Sequence, residues 1–131
     1  MPAHEHLSDD QLNRYVLLHR GFYDKTMKEI DINRLGVHWV SDEHPGAAWN
    51  FAQSEFGEQN RGVVVSGFVH RRHLMDPESD DYEQWINTGE GSYEPEHETP
   101  LRPGTPVHII KSTDAYSGKE RVYKKPLRGR A

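Results

Sequence analysis

Gly62-Val63-Val64-Val65-Ser66-Gly67-Phe68-Val69 is the stretch on which the reading of this chain turns. Three consecutive β-branched valines between two glycines favour an extended backbone, and an apolar run without alternation predicts a strand covered on both faces. Upstream, Ser41-Asp42 is followed by Pro45 and by apolar residues at Ala48, Phe51 and Ala52, which predicts a helix capped by Ser41 or Asp42. Before it, Gly36 to Val40 reads as a strand, and Tyr15 to Arg20 as another, ending at Gly21. Ser8 to Gln11 has the composition of a helix start, and Asp24 to Ile30 has weak helical character.

Downstream, Gly57 to Arg61 reads as a turn, Asp80 to Ile86 as a short acidic helix, and Asn87 to Glu94 as a loop. Val107 to Lys111 and Arg121 to Lys124 predict an antiparallel pair whose turn is supplied by Ser117-Gly118. Strands outnumber helices and cluster late, so the expected class is α+β with mainly antiparallel sheets. At 131 residues the chain is expected to form one domain, 1–131, with its core over about 10–125 and with 1–8 and 126–131 as tails.

Composition narrows the chemistry. There is no cysteine, which removes disulfides, thiolate metal sites and cysteine nucleophiles. Met1 to Asp10 lacks an apolar core and no run approaches membrane-spanning length, so a cytoplasmic protein without membrane association is expected. The net charge of −5 is polarised. Asp76 to Glu98 holds nine acids and no lysine or arginine, whereas Arg102 to Ala131 holds eight basic residues against Asp114 and Glu120. An acidic loop, 76–98, and a basic tail, 119–130, could each dock an assembly partner. The run Lys124 to Arg130 lacks interleaved aromatic residues, which speaks against nucleic-acid recognition. His4 with His6, and His70 with His73, have spacings that can share a metal, but Arg71 and Arg72 would repel a cation and no metal is expected.

The candidate chemistry rests on carboxylates. Glu96 and Glu98, two apart, point the same way on an extended segment, and Pro103-Gly104-Thr105 follows as a turn. Paired carboxylates repel, so one remains available as acid or base while the other stays charged. A fixed carboxylate also stabilises an oxocarbenium ion, and an arginine fork suits a pyrophosphate.

These residues resemble a family. Leu17-Leu18-His19-Arg20-Gly21 is similar to the first-strand Arg-Gly motif of ADP-ribosyltransferases of the Arg-Ser-Glu class. His38-Trp39-Val40-Ser41-Asp42 resembles their serine motif in position, and Glu96-His97-Glu98 through Pro103-Gly104-Thr105 resembles their Glu-x-Glu strand. The resemblance spans roughly residues 15 to 112. It implies a small split sandwich of two mainly antiparallel sheets with NAD, as substrate, in the cleft between them. By the same resemblance, Arg20 holds phosphates or the adjacent ribose, Ser41 supports the nicotinamide side, and Glu98 acts on the nicotinamide ribose. Glu96 then orients or deprotonates the acceptor, a protein side chain, with Glu at that place going with arginine acceptors. Trp39 could stack on nicotinamide. Only Ser41 keeps the serine motif, with Trp39 and Val40 replacing its first two residues. The alternative is therefore a catalytically silent interaction protein of the same fold, such as a component of a phage particle.

Overall fold

The computed structural model describes residues 13–53, 61–80, 82 and 98–131. The expected helix start at 8–11, most of the acidic helix at 80–86, the loop at 87–94, the turn before Arg61, and Glu96 lie outside them. The valine-rich stretch is the centre of a single five-stranded antiparallel sheet. It forms β3, which spans Gly62–His70, all but its last residue buried. On one side β3 pairs with β1 (Tyr15–Tyr23), which pairs in turn with the short β2 (Val40–Ser41). On the other side lie β4 (Pro106–Asp114) and β5 (Glu120–Arg130). With α1 over Gly46–Ala52, the order of strands in space is β2-β1-β3-β4-β5. The class is α+β, but the described residues form one sheet where two were expected.

Alternation along the strands divides the side chains between two faces. Leu18, Val65, Val69, Val107 and Ile109 join Leu35, Trp39 and Leu101 in the main core. The opposite face carries Val64, with Ala48 and Ala52 of α1 packed on it. Helix and sheet approach closely because Gly21 and Gly62 lack side chains: a Cβ on either would collide with the backbone of Ala48 or Ala52.

Three local expectations change. Only Val40, not 36–39, joins the sheet through β1, because the chain ahead of it turns to a different neighbour. Thr99 N–H donates to the Trp39 carbonyl at 2.7 Å and Leu101 N–H to that of Val37 at 2.9 Å, with Glu98 bridging to Val40. The helix starts later than expected, with Pro45 at its N-cap, and a proline carries no side-chain acceptor to cap it; Asp42, three residues earlier, is bonded to His19. Residues 126–131, expected as a tail, complete β5 and the core. Arg130 N–H donates to Ile32, and Ala131 N–H to Thr105. The two predicted glycine turns are present, with Gly104 at φ 83° and Gly118 at φ 74°. No helix among the described residues is long and apolar enough to cross a membrane.

Candidate functional site

Register assembles a polar row across the sheet on the face that carries α1. Ser66 of β3 lies opposite His19 of β1, His19 opposite Val40 of β2, and Val40 opposite Glu98. Residues directly opposite share a face, so Ser66, His19 and Glu98 point the same way, with His19 and Glu98 two strand spacings, about 10 Å, apart.

Glu98 is 6% exposed although it carries a carboxylate. Its Oε2 lies 4.0 Å from Nδ1 of His38, which shares its face through the alternation 38, 40. Tyr82 belongs to the same neighbourhood: burial, and then the negative charge of Glu98, push its hydroxyl pKa up. Charged groups taken out of water need compensation, and a half-buried imidazole and phenol beside the carboxylate are the groups at hand.

His19 is bonded at both ring nitrogens. Nε2 meets Asp42 Oδ1 at 2.7 Å and Nδ1 meets Ser66 Oγ at 2.7 Å. An ionised carboxylate only accepts, so Nε2 donates to Asp42, and the neutral ring then accepts the Ser66 hydroxyl proton at Nδ1. Burial pulls the His19 pKa below 6.5, outweighing the Asp42 bond that raises it, so the neutral form is the folded one near pH 7. The connectivity is that of an Asp-His-Ser triad. Ser66 is only 1% exposed, however, so a substrate carbonyl has no access to its oxygen. The network ties the loop after β2 to β1 and β3, and holds the imidazole in one tautomer.

Arg20 leaves β1 on the other face, opposite Val65. Its Nη1 donates to the His38 carbonyl at 2.7 Å and its guanidinium lies 5.0 Å from the centre of the Phe22 ring. Gly36, at φ 93°, makes room for it: a Cβ there would stand 2.8 Å from Nη2. Arg20 and Glu98 thus address one residue, His38, from its carbonyl and from its ring. Ser41 pairs with Leu18 and so shares Arg20's face, not Glu98's. Trp39 is fully buried in the main core, its indole N–H donating to the Gly36 carbonyl at 2.9 Å, and presents no stacking surface. A depression of about 200 Å³ lined by Thr26, Met27, Ser112 and Glu120 lies away from these residues.

None of His19, His38, Asp42 and Ser66 was expected as a site residue from the sequence. Ser66 is 47 residues from His19 and Asp42 is 23. The one available signal was composition: His19 and Ser66 each follow directly on an apolar run, 16–18 and 63–65. No family model, curated protein or solved structure matches the chain.

Proposed function

We propose that this chain is an ADP-ribosyltransferase-like domain that takes NAD on the Glu98 side of the sheet and breaks its nicotinamide–ribose bond. The observation that carries the reading is Glu98 itself, a carboxylate held almost out of water by its bridge to Val40, beside His38 and Tyr82. A fixed, desolvated negative charge is what a developing ribosyl cation requires, because charge interactions strengthen as water is excluded. In this reading the C1′–N bond breaks with its electron pair leaving on nicotinamide, and Glu98 stabilises the cation at C1′. A protein side chain then adds at C1′ and gives up its proton to a base, the role assigned to Glu96, or water adds and NAD is hydrolysed. His19, fixed by Asp42 and Ser66, and His38 supply polar groups on the same side. Arg20 serves through the His38 carbonyl, holding the backbone that carries the ring opposite Glu98.

A second reading, the silent interaction protein, has its own support. Arg20 and Ser41 share a face that Glu98 does not, and Trp39 is consumed by the core. Calorimetric titration with NAD separates the two. The enzyme reading expects saturable binding that is weakened by His38→Ala and left nearly unchanged by the exposed change Glu43→Gln. Absence of binding in a folded protein supports the interaction protein instead, docking through the acidic segment 76–98 or the basic strand β5.

A further inference from the structure

The far end of the sheet gathers side chains that the sequence keeps apart. Tyr15 of β1 lies opposite His70 of β3, Phe68 of β3 opposite His108 of β4, and His108 opposite Arg128 of β5. The Tyr15 ring is 5.1 Å from that of His70 and 5.8 Å from that of His108, and His70 is 6.3 Å from His73. Four rings therefore form one continuous half-buried surface. Arg71, Arg72 and Arg128 stand exposed around it.

Among the described residues, no acid neutralises these arginines. Arg71 Nε donates to the Asn13 carbonyl at 2.8 Å, and Arg72 Nε reaches His73 Nε2 at 3.5 Å. None of the ion pairs among the described residues includes Arg71, Arg72 or Arg128. The histidines register the local charge. Desolvation and then Arg72, His73 and Arg14 hold His70 below 6.5, and desolvation and then Arg128 do the same to His108. In a chain of net charge −5, such a cluster is local and not a consequence of overall basicity.

We propose that this end of the sheet binds single-stranded nucleic acid, with Tyr15, His70 and His108 as the base-stacking surface and Arg71, Arg72 and Arg128 on the phosphates. The basic run Lys124 to Arg130 contains no interleaved aromatics, but the fold supplies rings from β1, β3 and β4. Rings spread over neighbouring strands of an antiparallel sheet can take about two or three splayed bases, since every base has a face to stack and the arginines need only the backbone. A duplex hides its bases and leaves the rings unused.

The test is fluorescence anisotropy with a labelled oligothymidylate of about 12 nucleotides, a length within the range of single-strand sites. The wild-type chain is expected to bind at about 50 mM salt and to weaken steeply as salt rises. Arg71→Ala with Arg72→Ala should lower the slope of log affinity against log salt by about 1.4, two contacts at about 0.7 each. Tyr15→Leu should weaken binding about fivefold or more while leaving that slope unchanged, because stacking releases no counterions. Lys124→Ala with Lys125→Ala, exposed on β5, should leave both quantities nearly as they were. Circular dichroism melts verify that each variant is folded. The proposal is overturned if the folded wild type does not bind, if the Lys124/Lys125 variant loses as much as the Arg71/Arg72 variant, or if duplex of the same length binds as well as the single strand.

Discussion

Replacing Gly21 with alanine puts a methyl group onto the helix that packs over β1. An ideal Cβ at this position falls on the Ala48 carbonyl oxygen, far inside van der Waals contact, and 2.9 Å from the Ala52 nitrogen. Both obstacles are backbone, so no rotamer change relieves them. The seven-residue helix must retreat by on the order of 1 Å, or β1 must bow, and either opens the packing of Ala48 and Ala52 against Val64 and Ala115. Overpacking of this kind costs about 1–3 kcal/mol, and two backbone collisions put Gly21→Ala at the upper end. At this length that is a fall in Tm of about 8–12 °C, taking about 4 °C per kcal/mol. Gly46→Ala is the matched control. It sits in the same helix with nothing within 4 Å of its missing Cβ, so the same chemical change should stabilise by about 0.5–1 kcal/mol. Thermal and urea melts of the two variants beside wild type provide the assay. A Gly21→Ala protein melting within about 2 °C of wild type would refute the close helix–sheet approach.

The remaining predictions concern the polar row and the β4–β5 turn. Ser66→Ala leaves Nδ1 of buried His19 without its donor and should cost about 1–3 kcal/mol, read by urea denaturation; a change below about 0.5 kcal/mol would remove the network from the account. His19 also sets a pH dependence. Its folded pKa lies below 6.5, so the unfolded chain binds the proton more readily, and its contribution to stability declines as pH falls from 6.5 toward the folded value. Wild type should therefore lose more Tm on acidification than His19→Gln, and equal losses would contradict the assignment. At the β4–β5 turn, Asp114 Oδ1 accepts the Ser117 and Tyr116 N–H groups at 2.7 and 3.0 Å, and chiefly the Ser117 bond holds its pKa below 3.8. Asp114→Ala should destabilise by about 1 kcal/mol at neutral pH, a difference that shrinks as pH falls below 3.8 and the carboxylate of the wild type is lost.

What the sequence disclosed and what it hid follow one division. The valines of β3, the hairpin of β4 and β5, α1 and the turns at Gly104 and Gly118 were legible because each is decided within a few residues. The errors came where distant partners decide. Asp42 reads as a helix cap, but the N-cap falls three residues further on, at Pro45, and the Asp42 carboxylate accepts from the His19 ring instead. Val37 and Trp39 have strand composition, yet they pair with Leu101 and Thr99 instead of continuing along β1. The Lys-Lys-Pro-Leu-Arg segment reads as a solvated tail because edge strands use lysine, arginine and proline to discourage further pairing. Pro126 falls where the register jumps from Leu127 opposite Ile109 to Val122 opposite Lys111, so its missing N–H breaks no regular ladder. In the site, Glu98 and Arg20 were visible as motif residues, but the face each occupies depends on register. His19 and Ser66 became a pair only when β1 and β3 were aligned.

Release of nicotinamide from NAD by the purified chain, wild type beside Glu98→Gln, tests the central claim most directly. Glutamine keeps the size of the side chain and removes its charge. Measurable release by wild type is expected, with a loss of about 100- to 1000-fold in the variant and NAD binding retained, as when a charge that stabilises a transition state is removed. Equal release by the two folded proteins, or none by wild type, would contradict the claim.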